Sequence, residues 1–306
     1  MNTYDLIDYR NNSFSQNGED GIIAKIIEAL ELRQGWFVEF GAWDGVHFSN
    51  TKSLADRGWN GVFIEGDPDK YKDLRKNYDN NDKIFTVCAM VSNSGNNTLD
   101  HLLKKLPIPC NFDVLSIDID GADYHVWESL NAYKPKIVLI ESNQTFPYNV
   151  EFVQKENEHI GSSALSLYRL GRRKGYKFVC YNVNNCVFVR NDLCEKLNLV
   201  NSSFAYLYNI GGQQGTGGYF ASDYDGFWYW LHERQLAWDI RNVQYPNRLL
   251  RKGRYLKYIL FSLKDIFRQI KRAKSQENFF NGTFTARGDI FRVIEDKNEL
   301  SSLFES

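Results

Sequence analysis

Short apolar runs alternate with amphipathic segments along the chain up to about residue 192. Each run is bounded by turn residues such as glycine, asparagine or proline, which is typical of buried β-strands. The predicted strands are WFVEF (36–40), GVFIEGD (61–67), IFTVCAMVS (84–92), FDVLSIDID (112–120), KIVLIES (136–142) and the adjacent pair YKFVCYNV and NCVFVRND (176–192).

Helical spacing separates these strands. In residues 17–33, for example, Ile22, Ile26 and Leu30 recur on one face, and two acidic residues lie near the start. Further helices are predicted at 49–58, 68–78, 98–106, 122–133 and 163–175. Strands that alternate with helices of this length predict an α/β fold with a Rossmann-like, doubly wound, mostly parallel sheet. Such sheets carry their sites at the carboxyl ends of the strands.

The pattern changes after about residue 200. A glycine-rich stretch (209–220) precedes an aromatic segment, DYDGFWYWLHERQLAW (223–238), and a basic amphipathic helix is predicted at 248–274. We therefore expect a domain over residues 1–200 and a C-terminal aromatic and helical extension over 201–306. The glycines at 211–218 fit a mobile lid or a plain linker. The aromatic side chains fit sugar stacking, a core or an oligomer contact.

Composition and charge narrow the class of protein. The 306 residues are 43% hydrophobic, which is enough for a large core. Lys plus Arg number 37 against 38 Asp plus Glu, so no overall field attracts nucleic acid. No run of 18 apolar residues occurs, and the N-terminus lacks the basic and apolar parts of a secretory leader, so a cytoplasmic location is expected. The five cysteines form no CxxC motif.

The turn after the first predicted strand is the first candidate site. WFVEFGAWDG (36–45) contains Glu39 near the strand end, followed by Gly41 and Gly45. The glycines either let a ligand approach the backbone or let a helix and a strand pack closely. The spacing is ExGxxxG, whereas dinucleotide-binding proteins have GxGxxG. An acid at this point would repel a pyrophosphate and attract an ammonium or a sulfonium.

Acidic residues also end three later strands. Glu65 ends the second strand, where α/β folds place the carboxylate that binds both ribose hydroxyls. Asp118 and Asp120, two apart at the end of the fourth strand, are expected to point the same way. With Glu141 and Asn143 after the fifth strand they form a set of oxygen ligands that Mg²⁺ or Mn²⁺ would accept. Alternatively, the two aspartates cap the next helix and fix the turn.

Together these segments resemble the FkbM family of S-adenosylmethionine-dependent methyltransferases. The resemblance covers about residues 13–193. It follows seven segments in order: SQNGED (15–20), FVEFGAWDGVHFSNTKSL, GWNGVFIEGDPDKYKDL, TLDHLL, FDVLSIDIDGADYHVWESL, KPKIVLIES and GYKFVCYNVNNCVFVRNDL. Residues 118–123 read DIDGAD where the family more often has DVEGAE. The family is associated with O-methylation of sugars and other hydroxyl-bearing natural products.

The resemblance implies a class I methyltransferase fold and roles for named residues. Glu65 would hold the ribose, and Gln16 and Glu19 would close over the cofactor. Asn50 and Thr51 would lie beside its amino-acid end. The implied S-adenosylmethionine-binding set is Gln16, Glu19, Glu39, Gly41, Ala42, Gly45, Asn50, Thr51, Glu65 and Asp118.

Catalysis requires a group that takes the proton of the acceptor hydroxyl or a metal ion that stabilises the alkoxide. The candidates for the base are Asp120, His125 and Glu141, although His125 fits a packing role equally well. The candidate ligands of Mg²⁺ or Mn²⁺ are Asp118, Asp120, Glu141 and Asn143.

The expected substrate is a nucleotide-linked sugar or a precursor of a surface polysaccharide. Two other functions stay open at this point: a non-catalytic partner protein with a methyltransferase fold, acting in an assembly complex, and an N- or carboxyl-methyltransferase. The basic face of 248–274 fits packing on its own domain, contact with an assembly complex, attraction of the phosphates of a nucleotide-linked sugar, or peripheral attachment to the inner face of a membrane. A homo-oligomer is a further expectation.

Overall fold

A computed structural model describes residues 3–119, 121–144, 146–155, 161–212, 219–222, 228–231, 288–294 and 296–305. Asp120, the basic segment 248–274 and most of both the glycine-rich loop and the aromatic segment lie outside the described residues. The predictions made for them therefore stay predictions.

The described strands in chain order are β1 (Trp36–Phe40), β2 (Asn60–Glu65), β3 (Ile84–Cys88), β4 (Val114–Ile117), β5 (Ile137–Glu141), β6 (Val150–Gln154), β7 (Tyr176–Asn182), β8 (Asn185–Arg190), β9 (Tyr219–Ser222), β10 (Trp228–Leu231) and β11 (Gly288–Val293). Seven of them form one sheet in the order β3-β2-β1-β4-β5-β8-β7. Strand β8 is antiparallel to both of its neighbours, and the other pairs in this sheet are parallel.

The described α-helices are α1 (Glu19–Ala29), α2 (Lys52–Asp56), α3 (Pro68–Tyr78), α4 (Leu99–Leu103), α5 (Asp123–Ser129), α6 (Ala164–Arg173), α7 (Phe204–Gly211) and α8 (Lys297–Ser302). Helix α3 has the predicted bounds, because Pro68 suits a first turn and the Asp67 side chain accepts from the backbone N–H of Asp69. Helix α2 is shorter than predicted, because residues 49–51 donate hydrogen bonds to Glu39 of β1 instead of joining the helix.

Hydrophobic side chains cover both faces of the sheet. Alternate residues of β1 show this: Val38 belongs to the cluster on one face and Phe37 to the cluster on the other. The isoleucines of α1 pack on the Phe37 face, and α5 and α6 pack on the Val38 face. Burial on both faces explains why the strands are continuous apolar runs.

The chain crosses the predicted domain boundary at residue 200 without leaving this core. Phe204 of α7 is fully buried in the same cluster as Val38. Strand β11 pairs antiparallel with β6, and the Ala205 N–H donates to the Leu303 carbonyl at 2.9 Å. The described ends of the predicted extension therefore pack on the domain that precedes it. The sequence patterns did not indicate β6, α7, β11 or α8.

The strand order β3-β2-β1-β4-β5 with helices on both faces is that of a Rossmann-like doubly wound sheet. An antiparallel strand between β5 and β7 completes the class I methyltransferase arrangement, and the predicted fold class is confirmed. The strand order reverses between β1 and β4, so the binding crevice lies at their carboxyl ends. Among the described helices, none has the length and apolar character needed to cross a membrane.

Candidate functional site

Glu39 organises the long turn between β1 and α2. Glu39 is 5% exposed, and its carboxylate accepts four hydrogen bonds from the segment that leads into α2. The donors are Ser49 Oγ at 2.7 Å, the Asn50 N–H at 3.0 Å, the Thr51 N–H at 3.2 Å and Thr51 Oγ1 at 2.5 Å. Burial raises the pKa of Glu39, and the four hydrogen bonds oppose that rise. A direct contact between Glu39 and a cofactor stays a prediction.

The two glycines of this turn are explained by close packing. Both have left-handed backbone, with φ of 74° at Gly41 and 71° at Gly45. A Cβ on Gly41 would lie 1.6 Å from the Asp118 carbonyl oxygen, and one on Gly45 would lie 2.7 Å from the Tyr78 ring. These contacts correspond to the packing alternative, with the end of β4 and α3 as the partners. Approach of a ligand to either glycine stays a prediction.

The remaining turn residues tie the ends of the central strands together. The Ala42 N–H donates to the Ile64 carbonyl of β2 at 3.2 Å, and Asn50 Nδ2 donates to Ser116 Oγ of β4 at 3.0 Å. Ala42, Asn50 and Thr51 are all buried. The predicted cofactor residues of this turn thus lie together at the carboxyl ends of β1, β2 and β4.

Asp44 accepts hydrogen bonds from other residues of the same turn. One carboxylate oxygen accepts from the N–H groups of Val46 and His47 at 2.9 Å, and the other lies 2.6 Å from His47 Nδ1. Burial alone would raise the pKa of Asp44, but the His47 side chain and these N–H groups outweigh burial and lower it. The turn is further held by Asn77, which donates to the Asp44 carbonyl from α3.

Glu65 lies where the sequence predicted a ribose-binding acid, at the carboxyl end of β2. Glu65 is 7% exposed, and each carboxylate oxygen accepts one backbone N–H: Oε2 from Trp43 and Oε1 from Asp67, both at 2.7 Å. A carboxylate offers about four acceptor positions, so capacity for two hydroxyl groups is left. Sequence reasoning missed Trp43, which donates its N–H to Glu65, has left-handed backbone (φ 50°) and is 42% exposed.

The segment SQNGED (15–20) is held to the β7–β8 hairpin by hydrogen bonds. Glu19 is fully buried: Oε2 accepts from the Asn17 N–H at 2.8 Å, and Oε1 accepts from Asn182 Nδ2 at 2.7 Å and Asn185 Nδ2 at 3.0 Å. Gln16 is exposed. These bonds give Glu19 the role of joining this segment to the β7–β8 hairpin. Closure of Gln16 and Glu19 over a cofactor stays a prediction.

The predicted position of Asp118 at the end of the fourth strand requires a correction. The strand ends at Ile117, so Asp118 lies in the loop, half-buried, and strand alternation does not place it on the same side as Asp120. The turn is instead fixed by Asp123, which accepts from the Ile119 N–H at 3.0 Å and the Gly121 N–H at 2.9 Å. These two donors flank Asp120. The acid that fixes this turn is Asp123, for which the sequence predicted no role, and the roles predicted for Asp118 and Asp120 stay predictions.

The other candidate catalytic residues lie near the end of β5 and on α5. His125 is 8% exposed, and its Nε2 donates to the Gln154 carbonyl of β6 at 2.7 Å, which favours the packing role. Glu141, the last residue of β5, is half-buried and accepts from Asn184 Nδ2 at 2.7 Å. Asn143 follows in the loop, where its N–H donates to the Ser162 carbonyl at 2.9 Å.

A metal site finds no support among the described residues, which contain no group of three or more His, Cys, Asp or Glu side chains able to hold an ion. Asp120, one of the four predicted ligands, is outside that part of the chain. A site made of Asp118, Asp120, Glu141 and Asn143 therefore stays a prediction.

No protein-family model and no curated protein matches the chain. Similar solved structures include the N-terminal domain of EvdMO1 with S-adenosylhomocysteine (SAH) bound, at 12% identity over 57% of this chain and 82% of that one, TM-score 0.38. An O-methyltransferase from Bacillus cereus in complex with SAH has 14% identity over 59% and 83%, TM-score 0.40. An S-adenosylmethionine-dependent methyltransferase from Clostridium acetobutylicum has 8% identity over 56% and 90%, TM-score 0.37. The strand order of the sheet itself carries the assignment to the class I methyltransferase fold.

Proposed function

We propose that this protein is an S-adenosylmethionine-dependent O-methyltransferase of the FkbM type that acts on a sugar hydroxyl. The observation that carries the proposal is the pair of carboxylates at the ends of β1 and β2. Glu39 uses the backbone N–H groups at the start of α2, where a dinucleotide-binding fold would bind a pyrophosphate. Glu65 keeps acceptor capacity for two ribose hydroxyls.

These two carboxylates favour a cationic nucleoside over a dinucleotide. Glu39 would repel a pyrophosphate at the turn after β1, and negative charge at this edge attracts an ammonium or a sulfonium. S-adenosylmethionine supplies a methyl group that is activated by its positively charged sulfur. Glu65 would hold the molecule by accepting hydrogen bonds from both ribose hydroxyls.

The acceptor side of the crevice contains Glu141. Methyl transfer to oxygen is an in-line displacement, in which alignment supplies much of the rate. A sugar hydroxyl is a poor nucleophile until its proton is removed, and Glu141 is a half-buried carboxylate at the carboxyl end of β5 that can accept this proton. The sugar class itself rests on the resemblance of residues 13–193 to the FkbM family.

Calorimetry with SAH and with NAD⁺ tests the cofactor. Wild-type protein should bind SAH and not NAD⁺. Glu65→Ala should weaken SAH binding by roughly 1.5–3 kcal/mol for each lost charge-assisted hydrogen bond, or at least about tenfold in Kd. The matched control is Asp69→Ala in the first turn of α3, where an exposed acid is removed without touching Glu65. NAD⁺ binding, or an unchanged Kd in Glu65→Ala, would contradict the proposal.

A screen of nucleotide-linked sugars with methyl-labelled S-adenosylmethionine tests the acceptor. Label should pass to a sugar hydroxyl and form an ether that resists mild base. Label in a base-labile ester would indicate carboxyl methylation, and label on nitrogen would indicate N-methylation.

A further inference from the structure

The hairpin between β7 and β8 has a strained backbone at the carboxyl edge of the sheet. It contains two residues, Val183 and Asn184, and Val183 has a φ of 59°. Hairpin positions with positive φ normally take glycine, asparagine or aspartate, and a β-branched residue there is an outlier. Such a conformation persists only where surrounding contacts impose it, and it is found most often at functional sites.

Contacts on two sides impose this conformation. The Val183 N–H donates to the Gly211 carbonyl at the end of α7, at 3.0 Å. The Asn184 carbonyl accepts from both the N–H (2.7 Å) and the Oγ (2.9 Å) of Ser142, directly after β5. A Cβ on Gly211 would lie 1.7 Å from the Tyr181 carbonyl oxygen, so only glycine allows α7 this close to the hairpin. The backbone of Asn184 is therefore fixed relative to the end of β5.

The side chain of Asn184 is oriented as strictly as its backbone. Its Oδ1 accepts from Asn17 Nδ2 at 3.1 Å, and its Nδ2 donates to Glu141 Oε1 at 2.7 Å. Because Asn17 donates to the oxygen of this amide, the NH₂ group must face Glu141. Asn17 is held in turn, since its N–H donates to Glu19 and its carbonyl accepts from Asn182 Nδ2 at 3.1 Å. A chain of hydrogen bonds thus runs from buried Glu19 through Asn17 and Asn184 to Glu141.

We propose that Asn184 is the positioning residue of the acceptor site: it directs the carboxylate of Glu141 at the acceptor hydroxyl, and Asn17 sets the orientation of Asn184. This inference rests on the proposed function, because the orientation of Glu141 affects the reaction only if an acceptor hydroxyl binds beside it. It also assigns the segment SQNGED a task on the acceptor side of the crevice. Asn17 and Asn184 act through Glu141 and touch no reacting atom themselves.

Asn17→Asp tests this chain by removing the donor that orients Asn184. The carboxylate of this variant cannot donate to Asn184 Oδ1 and competes with Glu141 for the NH₂ group of Asn184, so the amide is no longer directed at Glu141 alone. The matched control is Asn12→Asp, the same change in the preceding loop, where the side chain donates to the Gln16 carbonyl. Both variants should bind SAH with the wild-type Kd, which shows that the fold is intact.

Two measurements decide the outcome. In protein labelled with ¹⁵N-asparagine, the side-chain amide signals of Asn184, identified by their loss in Asn184→Ala, should shift in Asn17→Asp and stay in place in Asn12→Asp. With a nucleotide-linked sugar that the wild type methylates, kcat should fall in Asn17→Asp by about 10- to 100-fold, as for loss of other groups that orient a functional ligand. KM should change little.

Unmoved Asn184 signals, or an unchanged kcat, in Asn17→Asp would overturn the proposal. Failure of the wild type to bind SAH would instead overturn the proposed function, and failure to methylate any nucleotide-linked sugar would overturn the substrate class. The amide signals are measured without an acceptor, so they test the hydrogen-bond chain in either case.

Discussion

Replacement of Glu39 separates two roles that the sequence could not distinguish, organisation of the turn and contact with a cofactor. In Glu39→Ala, the buried Asn50 N–H loses its acceptor, whereas the Thr51 N–H keeps Ser49 Oγ at 3.3 Å and the two hydroxyls can rotate to other partners. A buried donor without a partner costs about 1–3 kcal/mol and a further lost hydrogen bond about 0.5–1.5 kcal/mol, so the two amides together should lower the free energy of unfolding by about 1.5–4.5 kcal/mol.

Glu39→Gln is the milder perturbation. Its amide oxygen can replace Oε2, which has three donors, and its NH₂ group then faces the Asn50 N–H. One buried N–H loses its acceptor, so we expect a loss of about 1–3 kcal/mol. Urea unfolding followed by circular dichroism gives the ranking: wild type most stable, then Glu39→Gln, then Glu39→Ala. The Kd for SAH in Glu39→Gln should rise only a few-fold, because Glu39 would act on the ammonium of SAH through its charge and not through a hydrogen bond.

Unchanged stability together with weakened SAH binding would refute this reasoning. If Glu39→Gln unfolds at the wild-type urea concentration and its Kd for SAH rises more than about tenfold, a loss of about 1.4 kcal/mol, Glu39 is a ligand of the cofactor. Glu65→Gln is the comparison variant with the same chemical change one strand away. It should lose SAH affinity, because one acceptor of the ribose hydroxyls becomes a donor.

Three further predictions concern truncation of the C-terminal segment, stability at acid pH and the requirement for a metal ion. Truncation after residue 245 should unfold the domain or lower its melting temperature strongly, since it removes β11 and the buried side chains of Ile294 and Leu303; an unchanged melting temperature would show that the terminal segment is dispensable. The lowered pKa of Asp44 stabilises the folded state above the unfolded value of about 3.9, and this contribution disappears as the pH falls through the folded pKa. The difference in unfolding free energy between wild type and Asp44→Asn should therefore be constant near neutral pH and shrink below about pH 4; a difference that grows on acidification would contradict the assignment. If Mg²⁺ or Mn²⁺ takes part, EDTA should abolish methyl transfer and the ion should restore it, whereas full activity in EDTA leaves a carboxylate as the base.

Local patterns predicted most of the sheet. Strands β1 to β5 are apolar runs between amphipathic helices, so the hydrophobic period and the turn residues suffice to locate them. The position of Glu65 followed from the same logic, because the ribose acid is defined by its place at the end of the second strand.

What the sequence could not supply depends on contacts between distant residues. The need for glycine at Gly41 comes from the Asp118 carbonyl, and the burial of Glu19 comes from Asn182 and Asn185, more than 160 residues along the chain. Asp118 was placed wrongly on a strand because an apolar run does not show where its ladder of hydrogen bonds ends. Strand β6 was missed because its partner β11 lies near the C-terminus.

The pairing of β6 with β11 has a consequence for synthesis of the protein on the ribosome. Strand β6 (Val150–Gln154) is translated long before β11 (Gly288–Val293), the strand that pairs with it. During the interval the nascent chain presents unpaired backbone groups on β6, and edges of this kind recruit other chains into aggregates. Emergence of β11, rather than emergence of the central sheet, therefore marks the point at which this surface is protected.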